Sequence, residues 1–399
     1  MAQFTFTNNT YAGEALAGFM ASTLLEADSV KRGLLTVIND VNSRKLILDV
    51  DDDIVLQNPS GMFNDQGTTA TQTESYLDPV VYEFMKQEQW DKLVNSWESQ
   101  SIKPGAFSDY EGTVDLSDFL VQRYLAKIQI ANERLYWLGK SNVLEASFSA
   151  AFPGLLPKIA GNSDTYKVNL SGNPAASMSI SGITAAGVVT VDSTAGLVAG
   201  DMITFTGITG SIKDDLYKDL TGQSYTINNV TATTFKLQRN YNEMNKRRNA
   251  TFTGTATSGA FSYINAGNVI SVLQSVYAQL DYADRVQPDF KILIPLHVAL
   301  AYKEAQAARA LNVLGAFSED KKLEYLGIPL EPMNHFFANC IVGARTSNLF
   351  LGVDLLGDVS ELSTVYLKPY TNDNVVRMKA RMKAATEVKF YNEVFYLGA

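Results

Sequence analysis

The residues best placed to do chemistry stand near the end of the sequence, where Arg377, Lys379, Arg381 and Lys383 alternate with Val376, Met378, Ala380, Met382 and Ala384. Successive side chains of a strand point to opposite faces, so this spacing predicts four cations on one face and an apolar other face. Like charges about 6.5 to 7 Å apart repel one another unless water or acids compensate them. A reciprocal pattern lies far upstream. Asp49, Asp51 and Asp53 share the same two-residue period and would occupy one strand face.

Other constellations are absent from the sequence. His297 and His335 are the only histidines and Cys340 the only cysteine, with no ligand spacing for a soft metal. His297, at the start of a predicted helix, reads as a surface or capping residue. The carboxylates Asp49, Asp51, Asp52 and Asp53 could in principle meet a calcium ion, but adjacent strand residues face opposite ways and do not converge. No phosphate-cradling glycine loop with a lysine, nucleophile elbow or zinc-protease helix motif occurs. The reading is no enzyme, no catalytic residue, no metal and no cofactor.

Composition sets the frame for these residues. A chain of 399 residues predicts two or three compact units. Hydrophobic residues at 46% and charged residues at 19% describe an ordinary globular chain, and a formal charge of −9 argues against a dedicated nucleic-acid binder. The single cysteine fits a reducing compartment. The polar start MAQFTFTNNT and the lack of any apolar run near 18 residues predict a leaderless cytosolic product with no membrane span.

The element that must organise the chain is the stretch from Ser117 to Gly139. Val121, Tyr124, Leu125, Ile128, Ala131, Leu135 and Leu138 recur at helical spacing, and the rod would be about 33 Å long. Asp115 and Ser117 are expected to cap its start, and Gly139 to stop it in the left-handed conformation. Before it, a polar arm passes into a helical pattern ending near Gly33. LLTVIND and KLILDV then lead to a polar tip, Asn58 to Thr73, and the chain returns through SYLDPVVYEFMKQEQWDKLVNSWESQ. That order predicts a long two-stranded projection, which is marginal alone and needs a surface to lie on.

From about Tyr166 the composition changes, and between Leu170 and Gly210 the only charged residues are Asp192 and Asp201. GVVTVDST, DMITFTG, QSYTINNV and TTFKLQRN alternate between turn signals and predict a small all-β barrel or sandwich ending near Tyr263. Asn268 is then expected to cap a helix with the stripe Val269, Val272, Leu273, Val276 and Leu280. FKILIP reads as a buried strand, followed by a second helix, LHVALAYKEAQAARALNVL.

LVAGDMITFTGITG followed by GQSYTINNVTATTFKL resembles the small β-barrel modules, related to a domain of ubiquitin-activating enzymes, that recur as inserts in phage particle proteins. Taken with the arm, the projecting loop, the long helix and the endings YLGIPLEP, ARTSNLFLGVDLLGD and NVVRMKARMKAATEVKFYNEVFYLG, the chain resembles the major capsid proteins of tailed bacteriophages, with the HK97-like fold. The resemblance implies an α+β fold: an N-terminal arm over 1–33, an extended loop over 34–110, a spine helix and peripheral domain over 111–165, an inserted β domain over 166–263, and an axial domain with peripheral return strands over 264–399. It further implies hexamers and pentamers of an icosahedral phage head around double-stranded DNA, held without sequence specificity. Its partners would be further copies of itself, a portal protein, and separate scaffolding and decoration proteins. It would be assembled in the host bacterial cytoplasm and located in the virion capsid. An encapsulin-type compartment shell, and a non-capsid binding module or enzyme, are the alternatives. Within the first reading, the acidic strand of one subunit meets the basic strand of another; otherwise both faces are solvated.

Overall fold

The computed structural model describes residues 9–12, 24–51, 71–89, 116–140, 152–169, 177–214, 219–240, 247–249, 252–280, 285–310, 323–354, 361–367, 370 and 373–398. First come β1 (Asn9–Ala12), α1 (Asp28–Lys31), β2 (Thr36–Ile38), β3 (Lys45–Asp51), β4 (Thr71–Leu77), β5 (Val80–Gln89) and α2 (Leu116–Leu138). After α3 (Leu155–Gly161) and β6 (Tyr166–Asn169) runs a series of short strands: β7 (Ser177–Ile180), β8 (Gly182–Ile183), β9 (Val188–Thr190), β10 (Met202–Gly210), β11 (Lys213–Asp214), β12 (Ser224–Asn228), β13 (Thr234–Asn240), β14 (Arg247–Asn249), β15 (Phe252–Thr253) and β16 (Ala256–Tyr263). The chain finishes with α4 (Val269–Gln279), β17 (Phe290–Pro295), α5 (Leu296–Ala310), β18 (Glu324–Tyr325), β19 (Ile328–Met333), β20 (Ile341–Arg345), β21 (Leu349–Val353), β22 (Glu361–Tyr366), β23 (Val375–Val388) and β24 (Phe395–Gly398). The fold is mixed α+β and contains a β-barrel.

Two compact units emerge: Met1–Tyr136 with Leu349–Lys389, and Trp137–Asn348 with Phe390–Ala399. In the first, β23 is the central strand. It pairs antiparallel with β5 along one edge, and along the other with β22 and then β21. β1 extends the sheet beyond β22, and β2 runs parallel to β21. The arm is thus anchored, at Asn9–Ala12, on the chain's own sheet.

Helix α2 lies on one face of this sheet. Tyr124 stacks near Phe84 with centroids 5.7 Å apart, and its hydroxyl donates to Glu88 Oε1 at 3.0 Å. Tyr82 donates to Asn132 Oδ1 at 3.0 Å, and Asn132 Nδ2 reaches Met382 Sδ at 3.8 Å. The buried stripe therefore runs through Tyr124, Ile128, Asn132 and Leu135, while Leu125 and Ala131 are only half-buried. Glu133 is buried too; it accepts from the Ser29 amide at 3.2 Å and from the Ser29 hydroxyl, tying α1 to the long helix. Burial pushes the phenols of Tyr82 and Tyr136 above their ordinary range.

Details at the ends of α2 differ from expectation. Ser117 sits inside the first turn and Asp115 lies outside the described residues. The left-handed residue is Lys140, φ 55°, because Gly139 is used differently: its carbonyl accepts from Gly154 N at 2.8 Å. A Cβ on Gly154 would lie 2.6 Å from Gly139 N, so only glycine permits that approach.

The projecting strands β3 and β4 pair antiparallel from Lys45↔Leu77 to Asp51↔Thr71. Thr71, Gln72 and Thr73 are thus strand rather than tip, and 58–70 of the expected tip lies outside the described residues. At the base, Ile47 and Leu77 pack with Val41 and Ala385. Leu77 rests on Gly352, where an added Cβ would lie 3.0 Å from Leu77 Cγ and crowd its methyl. The hairpin is seated on its own unit by that one missing side chain.

In the second unit, β10, β12, β13, β9, β8 and β16 pair in that order, and β16 pairs back onto β10. A closed ring leaves no edge strand. Its interior is aromatic: Phe261 makes edge contacts with Phe205 and Phe235 at centroid distances of 6.4 and 5.5 Å. A second sheet, ordered β18, β19, β17, β20, β24 and β6, shares a core with α4 and α5. Val269, Val272, Leu273, Val276 and Leu280 are all buried in it, as their spacing requires. Asn268 does not cap α4 through its side chain; its Oδ1 accepts from Asn265 N at 2.8 Å and its Nδ2 donates to Tyr263 O, bracing the preceding turn. β24 ends the chain in this sheet, parallel to β6.

Candidate functional site

The cationic strand is β23, and its two faces divide as the alternation requires. Val376, Met378, Ala380, Met382 and Ala384 are buried on the helix-covered side, while Arg377, Lys379, Arg381 and Lys383 lie on the other. Beyond Ala384 the alternation stops, and Ala385, Thr386, Glu387 and Val388 are all buried where β21 and the hairpin base close over the strand.

Their own chain compensates some of these cations. Register places Arg377 opposite Gln87, Lys379 opposite Met85 and Arg381 opposite Glu83. Arg381 Nε donates to Glu83 Oε2 at 3.2 Å, and Lys379 Nζ is 4.0 Å from the same oxygen. Lys383 donates to the Asn42 carbonyl and sits 4.0 Å from the buried Asp354 carboxylate. Arg377 donates to the neutral amide of Gln87 at 2.9 Å, with no carboxylate at ion-pair distance among the described residues. The outer end of the row keeps its charge and the inner end is spent within the chain.

On β3, Asp49 and Asp51 are the register partners of Thr73 and Thr71; Asp53 lies outside the described residues. β3 pairs with β4, and no ladder joins it to β23 within one chain. The hairpin face opposite Ile47 was not anticipated. It leaves Leu46 at 42%, Leu48 at 46% and Tyr76 at 37% of full exposure, with the Arg44 guanidinium 3.8 Å above the Tyr76 ring. Leu46 and Tyr76 are register partners, so these side chains form one patch. In KLILDV, Leu46, Leu48 and Val50 make one period-two face wholly apolar while Ile47 adds an apolar residue to the other, which is the sequence signal for a strand that needs two coverings.

His297, half-buried at the start of α5, turns inward rather than capping: its Nε2 lies 3.1 Å from Asn339 Oδ1, and burial holds its imidazole below the ordinary value of 6.5. Cys340 is buried, and burial pushes its thiol up. Among the described residues no three of His, Cys, Asp and Glu converge as metal ligands, and no helix is long and apolar enough to cross a membrane.

No family model and no curated protein matches the chain. Solved structures similar to it include chains of phage capsids and of a virus-like particle. A chain of the satellite phage P4 procapsid, which includes the size determination protein Sid, is 9% identical with a TM-score of 0.43, over 95% of this chain and 98% of that one. A chain of the cyanophage A-1(L) capsid is 11% identical with a TM-score of 0.44, over 93% and 92%. The virus-like particle from Pyrococcus furiosus is 9% identical with a TM-score of 0.39, over 97% and 99%.

Proposed function

We propose that the chain is a major capsid protein of the HK97-like kind, assembling as hexamers and pentamers into an icosahedral phage head around double-stranded DNA. The observation that carries this reading is the β3–β4 hairpin, seated by Ile47 and Leu77 on its own unit while Leu46, Leu48 and Tyr76 stay open to water. A two-stranded hairpin exposing apolar side chains is stabilised when a second surface covers it. Further copies of the chain supply that surface at every lattice position, so each weak contact is repeated. The division of 1–399 into arm, extended loop, spine helix with peripheral domain, β insert and axial domain belongs to this proposal. So do a portal, separate scaffolding and decoration proteins, and assembly in the host cytoplasm.

The deciding experiment is to express the full chain and image it by electron microscopy, with sedimentation to measure size. Closed shells, or rings of six and five, are expected. Shells that never enclose nuclease-protected DNA when the phage genome is packaged would favour a compartment protein, and a persistent monomer would overturn both readings. Within the lattice, the carboxylates at Asp49, Asp51 and Asp53 of one copy are proposed to meet the cationic face of another. Because Lys383 is committed to Asp354 in its own chain, the test reverses Arg377 and Arg381 to Glu. Assembly should fail, and Asp51→Lys with Asp53→Lys should partly restore it; normal assembly of the reversed chain across salt concentrations would show a merely solvated face.

A further inference from the structure

Asn339 combines a fully buried side chain with a left-handed backbone, φ 55°, a conformation that asparagine and glycine enter more readily than other residues. The amide is saturated. Nδ2 lies 3.1 Å from Met202 O, 3.2 Å from Thr204 Oγ1 and 3.1 Å from Ser262 O, while Oδ1 accepts from Ile264 N at 3.1 Å and meets His297 Nε2 at 3.1 Å. Since Oδ1 can only accept, His297 carries its proton on Nε2.

The partners fall into two groups. Met202 and Thr204 are on β10 and Ser262 on β16, neighbouring strands of the barrel in which Thr204 faces Ser262. Ile264 leads into α4, His297 opens α5, and Asn339 itself stands just before β20. One carboxamide therefore donates to the barrel and accepts from the α/β layer. Among the described residues, the buried apolar cluster of the barrel and that of the α/β layer share no residue, so the amide is a polar tie between two separate cores. Smaller ties flank the amide: Thr204 Oγ1 donates to Ala338 O at 3.3 Å, and Asn265 Nδ2 donates to Gly196 O at 2.7 Å and to Asp201 Oδ2 at 2.9 Å.

We propose that Asn339 is the positioning residue that locks the barrel to the α/β layer, so that the two behave as one cooperative body and a load on the barrel reaches the layer. The proposal holds whether or not the chain builds a shell. Left free, an inserted module with its own core would unfold and swing independently. Bound through a desolvated five-contact amide, it does not.

The test uses the full chain. Asn339→Gly keeps the left-handed backbone accessible and deletes the amide, whereas Asn339→Asp keeps the acceptor for Ile264 and His297 and removes both donors. Wild type is expected to unfold the barrel and α/β layer in one calorimetric transition. The glycine variant should show two, with the Ile264 amide exchanging about tenfold faster or more. The aspartate variant should also show two, but keep Ile264 protected, and its His297 should titrate higher because the ring gains a carboxylate, a shift readable by NMR and not expected of a merely structural lesion. A wild-type barrel that melts on its own, or a glycine variant with one transition and unchanged Ile264 exchange, would overturn the proposal. Should the glycine variant not fold, Thr204→Val, which removes one acceptor of the Asn339 amide together with the hydroxyl's ties to Ala338 O and Ser224 Oγ, must still separate the transitions by a smaller interval, and failure to do so overturns it equally.

Discussion

The barrel and the hairpin-bearing sheet are built from similar short strands, yet they resolve their edges in opposite ways. In the barrel, β16 closes onto β10, and the aromatic cluster around Phe261 fills the inside. In the first unit, α2 covers one face of the sheet, while the other carries a row of cations and β5 ends the strand order beside β23. The hairpin goes further, with one face seated on Gly352 and the other left apolar and open. A closed sheet satisfies its own hydrogen bonds and its own apolar area; an open one leaves both to whatever lies next to it. The chain therefore joins a self-sufficient region to an unfinished one.

The sharpest way to break that comparison is to damage the closed region. Phe261→Ala is expected to cost about 3–5 kcal/mol, since the ring is wholly buried against two other phenylalanines. Denaturant unfolding followed by aromatic near-UV signals checks it, and a loss below about 1 kcal/mol would mean the barrel core can collapse onto the gap. Next is the seat of the hairpin. Gly352→Ala should cost about 1–3 kcal/mol through the clash with Leu77, with faster proteolysis of the hairpin as the readout.

The Tyr82–Asn132 contact under the open sheet is worth about as much. Tyr82→Phe leaves Asn132 without its 3.0 Å donor and is expected to cost about 1–3 kcal/mol, read by thermal unfolding. Smaller still is the pH term from His297. Burial lowers its folded value below 6.5, so the unfolded chain takes up the proton first as pH falls. Its contribution is complete above about pH 6.5 and declines below it, giving stability that rises with pH through that window. His297→Gln should flatten the slope between unfolding measured near about pH 5.5 and near about pH 7.5. The smallest effect on the free chain is the most informative. Leu46→Ser with Leu48→Ser should change its stability by no more than about 0.5 kcal/mol each, because both are already exposed. The same pair should abolish particle formation by electron microscopy; assembly at wild-type yield would show that the open face needs no cover.

Periodic features were legible in the sequence because they repeat. The 23-residue helix, the alternation of β23, the barrel strands and the stripe of α4 each recur over enough residues for one face to be read. On α2, Asn132 stands in phase with Ile128 as a polar residue on an apolar face, but nothing local points to its partner Tyr82. What the sequence could not determine is what depends on residues far apart in the chain. Asn339 meets partners 42 to 137 positions away, Leu77 needs the absence of a side chain at Gly352, and Lys383 finds Asn42 and Asp354. None of these pairings has a period. Local spacing decides which face of an element is apolar, through geometry fixed at 2 or 3.6 residues per repeat; only the packed tertiary structure decides which polar groups are left dry, which must then find each other, and which face of the hairpin remains uncovered.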